Sequence, residues 1–168
     1  MSDSIANVIG VGNILMRDDG AGPAAAAMVE AGAPPGVHVW DAGLAVGDVI
    51  GTLDPEVPLV VIDAVRGGGE AGSIYRVDLD EYSPFDEAGG AMMSLHEVSV
   101  LPALRMEALS GRRFRKVTVF GIEPELVEWG EGLTGRVAAG LERLVEAVFD
   151  YLEALGASGA PVAEAEEN

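Results

Sequence analysis

Val8-Ile9-Gly10-Val11-Gly12-Asn13-Ile14-Leu15-Met16-Arg17-Asp18-Asp19-Gly20-Ala21-Gly22 runs from an apolar, β-branched start through a glycine turn to two adjacent acids. Pro23 and an alanine run follow. The order predicts a buried strand, a tight turn and a helix with proline in its first turn. A dinucleotide loop of the form G-x-G-x-x-G would need its third glycine at position 15, where Leu15 stands, and no Walker lysine is present. The stretch therefore reads as a device that positions carboxylates rather than one that cradles phosphate.

Working outward, a helix is expected over 22–32, closed by Gly32, Pro34 and Pro35. A second strand is expected over 37–41 and a short helix over 46–53, with Val46, Val49, Ile50 and Leu53 on one face. Pro58-Leu59-Val60-Val61-Ile62 has no polar alternation, so it predicts a strand covered on both faces, with Asp63 at its carboxyl end. Alternating strands and helices argue for a parallel α/β sheet. The glycine-rich stretch 66–72 is too short for a crossover helix, so the strand expected over 73–79 runs antiparallel at an edge.

Residues 80–93 are acidic and aperiodic and predict a long loop. Ser94-Leu95-His96-Glu97 reads as a capping box opening a helix that continues to about Leu109, bent near Pro102. A last strand over 116–122 and a long amphipathic helix through Val137, Leu141, Leu144, Val148 and Leu152 complete the pattern. One α/β domain over residues 1–156 and a disordered acidic tail over 157–168 are expected.

Ten basic against twenty-eight acidic residues leave a formal charge of −18, which argues against nucleic acid and anionic membranes as partners. With no cysteine, disulfides, thiolate nucleophiles and cysteine zinc sites drop out. Neither a signal peptide nor an apolar span long enough for a membrane is visible, so a soluble cytoplasmic protein, taken as a monomer, is the expectation.

Ligands in open α/β sheets bind beyond the carboxyl ends of strands, where strand order reverses. A first strand lying between the second and third puts Asp19 and Asp63 on two sides of that crevice. His96, at a helix start that favours its neutral form, can close a third. Two carboxylates and an imidazole suit a first-row divalent ion with open positions. Each residue also has a plainer reading. Asp18 and Asp19 can cap a helix, Asp63 can cap a loop, and His96 can fill a capping box. His38 and the basic stretch 112–116 read as structural or solvated.

The motifs Gly10-Val11-Gly12-Asn13-Ile14-Leu15 and Asp18-Asp19-Gly20-Ala21-Gly22 closely resemble the opening of the hydrogenase maturation proteases. Three further stretches resemble later motifs of that family: Leu59-Val60-Val61-Ile62-Asp63-Ala64-Val65, Ser94-Leu95-His96-Glu97-Val98 and Val119-Phe120-Gly121-Ile122-Glu123-Pro124. The resemblance implies a three-layer α/β/α fold with a five-stranded, mixed, mostly parallel sheet of order 2-1-3-5-4. It implies an endopeptidase that removes a C-terminal extension from the large-subunit precursor of a nickel–iron hydrogenase once nickel has been inserted. Asp19, Asp63 and His96 then match the metal-contacting and catalytic positions, and the nickel belongs to the precursor. Gly10, Gly12, Asn13, Asp18, Gly20 and Gly22 support the motif, with Asp18 as the structural neighbour. Asp41-Ala42-Gly43-Leu44-Ala45 departs from the family's Asp-Gly-Gly-Thr-like stretch.

Two other functions fit parts of the pattern. A phospho-acceptor receiver module also carries paired acids after strand one, but it needs a lysine at the end of the last strand, where Gly121-Ile122-Glu123-Pro124 has none. A non-catalytic metal-binding chaperone of hydrogenase assembly could keep the same ligands without cutting.

Overall fold

The computed structural model describes residues 3–79 and 98–159. Five strands form one sheet: β1 (Ala6–Val11), β2 (Val37–Gly43), β3 (Leu59–Ala64), β4 (Ile74–Asp78) and β5 (Val117–Ile122), in the order β2-β1-β3-β5-β4. β1 pairs parallel with β2 and β3, and β3 pairs parallel with β5. β4 runs antiparallel to β5 at the edge, as the short connection from β3 requires.

The pleat of the three inner strands sorts their side chains onto two faces. Val8, Val60, Ile62 and Ile122 pack under α1 (Ala21–Gly32) and α4 (Gly135–Gly159). Ile9, Val61, Val117 and Val119 pack under α2 (Val46–Thr52) and α3 (Leu101–Leu109). The result is the expected α/β/α sandwich. Fully burying each such Val or Ile contributes about 1.5–3 kcal/mol, so the inner strands are fixed far more firmly than the loops at their ends. Among the described residues no buried side-chain polar atom lacks a partner: the Thr118 hydroxyl, with none of its surface exposed, bonds the Tyr151 hydroxyl at 2.8 Å and Asp78 at 3.0 Å.

Asp63 stands at the carboxyl end of β3, as expected, and is the penultimate residue because the strand runs on through Ala64. Asp63 pairs with Gly121 of β5, which extends the ladder past the apolar run. Two sequence expectations need correcting. The helix expected from Ser94 does not pass through 98–100; α3 starts at Leu101 with Pro102 in its first turn, where a proline costs no hydrogen bond. A helix running on from Ser94 would have placed that ring against the Val98 carbonyl. Finally, α4 extends through 157–159, inside the segment expected to be disordered. Adding a turn to an existing helix is cheap, and Ser158 Oγ bonds the Ala154 carbonyl at 2.9 Å. The loop 80–93, the capping box with His96, and residues 160–168 lie outside the described residues.

Candidate active site

β1 stands where the connections diverge, with β2 reached on one side through α1 and β3 on the other through α2. The crevice at the carboxyl ends of β1 and β3 is the switch point of the sheet. A cavity of about 260 Å³ opens there, and Asp19, Asp63, Ser99 and Arg66 supply its polar wall, with Leu44 and Val127 on an apolar wall.

Close approach of backbone to backbone makes this crevice. Gly12 has φ of +136°, and a Cβ on it would lie 1.9 Å from the Asp19 carbonyl oxygen. At Gly22, in the first turn of α1, a Cβ would fall 2.1 Å from the Val11 carbonyl and 2.5 Å from that of Ile62. The start of α1 is thereby seated on the ends of both central strands. A short 3-10 turn, Arg17–Gly20, delivers the two acids. The Asp19 carboxylate accepts the Asn13 N–H at 2.8 Å, while Asn13 Oδ1 accepts the Leu15 N–H at 3.0 Å, which fixes the turn.

The neighbouring acid faces elsewhere. Asp18 is 0% exposed and bonds across the chain to the loop before α4. Its carboxylate accepts the N–H groups of Glu125 and Leu126 at 2.9 Å each, the Thr134 N–H at 2.7 Å and the Thr134 hydroxyl at 2.8 Å. Burial alone would raise its pKa, but the Leu126, Thr134 and Glu125 donors outweigh that and hold the carboxyl below its ordinary value. Arg17 completes the junction from a left-handed backbone (φ of +51°), donating its N–H to the Gly130 carbonyl at 3.0 Å and its guanidinium to the Glu131 carbonyl at 2.9 Å.

Asp63 shows the opposite balance. It is 3% exposed, and burial pushes its carboxyl up to about 7. The Ser99 hydroxyl, donating to Asp63 Oδ2, pulls the other way, as do the backbone N–H groups of Ala64 and Ser99, whereas the charge of Asp19 pushes the value further up. Such a group can gain or lose a proton near neutrality, or exchange it for a cation.

The structure therefore brings Asp19 and Asp63 together on one cavity and directs Asp18 away from it. His96 falls outside the described residues. Among the described residues no three His, Cys, Asp or Glu side chains form a metal-holding group. His38 lies on β2, 3.3 Å from Ser4 Oγ and remote from the cavity residues. Arg112 of the basic stretch bonds Glu107 and the Gly51 carbonyl, a structural use. Sequence reading missed Ser99 and Arg66. Ser99 was hidden inside an expected helix, although Pro102 marks the true start two residues later; Arg66 was hidden in a glycine-rich loop.

The family model described as HycI, hydrogenase maturation protease, matches residues 24–151. The chain belongs to the hydrogenase maturation protease family. Asp63 lies within the matched segment, and Asp19 just ahead of it. This maturation protease is 30% identical over 152 residues to the hydrogenase expression/formation protein HoxM of Azotobacter vinelandii, spanning 89% of this chain and 72% of HoxM. It is 28% identical over 156 residues to the hydrogenase 2 maturation protease of Escherichia coli (strain K12), covering 92% and 94% of the two chains. The solved structure of the hydrogenase maturating endopeptidase HybD from E. coli superposes with a TM-score of 0.74 at 27% identity, over 90% of this chain and 93% of that one. The maturation protease is thus an enzyme, a peptide-bond hydrolase of hydrogenase maturation. Among the described residues no helix is long and apolar enough to cross a membrane.

Proposed function

We propose that this maturation protease removes the C-terminal extension of a nickel–iron hydrogenase large-subunit precursor after nickel insertion, and that it reads the nickel carried by that precursor through Asp19, Asp63 and His96. The observation that carries the reading is the convergence of Asp19 and Asp63 on one cavity, with Asp63 buried and its carboxyl raised to about 7. Burying an acid next to a second acid is costly unless a cation arrives to share them. A divalent ion in the substrate supplies that charge, so unloaded precursor leaves the pair uncompensated. His96, assigned from its motif, provides the third contact.

A protein substrate also suits the rim. Leu44 and Trp129 are 77% and 76% exposed, and Val127 continues the apolar wall outward from the cavity. The Gly130 N–H bonds the Leu15 carbonyl at 2.9 Å, so the loop carrying Trp129 adjoins the exposed Leu15 of the motif turn. Exposed apolar patches beside a site mark surfaces that meet other proteins.

Holding the metal-bearing part of the precursor fixes the scissile bond beside the acids, and water then adds to its carbonyl within a preset geometry. Without cysteine, thiolate attack is closed, and the Ser99 hydroxyl gives its hydrogen to Asp63. Mass spectrometry of precursor incubated with the full chain tests the proposal. Loss of a C-terminal peptide with nickel-loaded precursor, and none without nickel, is the expected result. Unchanged mass with retained binding would make the protein a chaperone, and equal cleavage with and without nickel would remove the metal from the recognition.

A further inference from the structure

Arg66 is exposed on the wall of the same cavity, yet it forms no hydrogen bond or ion pair with Asp19, Asp63 or any other described residue. A long cation near two carboxylates, in a chain of charge −18, would normally close onto one of them. Its backbone is held on both sides. The Val65 N–H bonds the Ile122 carbonyl of β5 at 2.9 Å, and the Gly67 N–H bonds the buried Glu123 carboxylate at 2.6 Å. Tyr75 donates its hydroxyl to the same Glu123 oxygen at 2.8 Å and accepts the Gly69 N–H at 2.9 Å. A Cβ on Gly67 would lie 2.5 Å from the Tyr75 ring, so the loop is pressed against that clamp.

We propose that Arg66 is a catalytic residue that binds the carbonyl oxygen of the scissile peptide and stabilises the oxyanion, with Glu123 and Tyr75 as the positioning residues that hold its loop. This rests on the chain's action as an endopeptidase at this cavity. Water adds to the carbonyl carbon and passes one proton to a carboxylate of the site. The carbonyl π pair moves onto the oxygen, which faces the guanidinium. Collapse re-forms the C=O bond, breaks the C–N bond and returns the proton to the departing amine nitrogen. A peptide carbonyl is neutral on arrival and becomes anionic only in the transition state, so a cation aimed at it acts on the rate. An acidic side chain, by contrast, would approach against the charge of the whole chain.

Steady-state cleavage of nickel-loaded precursor by the wild type, Arg66→Ala and Arg66→Lys tests this. Arg66→Ala should lower kcat by about 10²–10³-fold, the effect of losing one oxyanion donor, with KM changed by no more than about twofold. Arg66→Lys should recover about tenfold of that loss, because it keeps the charge but not the planar fork. Glu123→Gln should lower kcat in the wild-type background and leave the Arg66→Ala rate unchanged, since its effect passes through Arg66. Unchanged kcat in Arg66→Ala, or a raised KM at unchanged kcat, would overturn the proposal; the second result would mark Arg66 as a docking group for an anionic side chain. Wild-type cleavage of nickel-free precursor would remove the nickel reading alone and leave the Arg66 comparison intact.

Discussion

Asp18 and Asp63 are both buried carboxylates at the carboxyl edge of the sheet, and their surroundings oppose each other. Asp18 collects three backbone N–H groups and a hydroxyl from a loop more than a hundred residues away, and its carboxyl is held below the ordinary value. Asp63, 3% exposed, has the Ser99 hydroxyl, two backbone donors and a second acid nearby, and it is raised to about 7. The first acid has its charge fully answered by the protein and acts as a structural tie. The second is left with a charge the protein does not answer, as an acid meant for a cation or a proton must be.

The largest expected effect on stability falls at Asp18. Asp18→Ala leaves three backbone donors and the Thr134 hydroxyl without their acceptor and should cost about 3–5 kcal/mol in urea unfolding at pH 7. A loss below about 1 kcal/mol would mean that the tie contributes little.

Asp63→Asn should act in the other direction. The folded carboxyl titrates at about 7 and the unfolded one near 3.9, so between those values the folded chain keeps a proton that the unfolded chain has released. Wild-type stability from this group is therefore present at about pH 4 and is lost as pH rises through 7. The asparagine variant, which carries no charge to bury, should be more stable than wild type by about 2–4 kcal/mol at pH 8 and equal to it near pH 4. Thermal unfolding across that range checks both sign and window. A variant less stable than wild type at pH 8 would reverse the reading of Asp63 as an acid buried at a cost to stability.

Ser99→Ala should give the smallest change. Removing the hydroxyl that favours ionised Asp63 should cost about 1 kcal/mol at pH 8 and less at pH 5, where the carboxyl is neutral. Equal losses at both pH values would separate Ser99 from the Asp63 charge.

The buried third strand and the antiparallel edge were legible because each follows from a local feature, the apolar run Leu59-Val60-Val61-Ile62 and a connector too short for a helix, whereas the strand order came from the family resemblance of the motifs. Asp63 was legible as a candidate because it stands at the end of an apolar strand, and Asp19 because it follows the glycine turn where the next helix begins. The division of labour between Asp18 and its neighbour depends on donors at 125, 126 and 134, and no local pattern encodes a contact at that separation. Ser99 escaped because a capping box at Ser94 outweighed the proline at 102. Glu123 lies just past the strand expected over 116–122, and only the folded loop shows its carboxylate gripping Gly67 and Tyr75.

The most direct test of the central claim is processing of nickel-loaded precursor at pH 8 by Asp63→Asn, with Asp19→Asn beside it and urea unfolding run on the same preparations. A drop in rate of about 10²–10⁴-fold, the range for losing a positioned acid or base, is expected in an Asp63→Asn protein at least as stable as wild type. Processing at the wild-type rate by folded Asp63→Asn would contradict it.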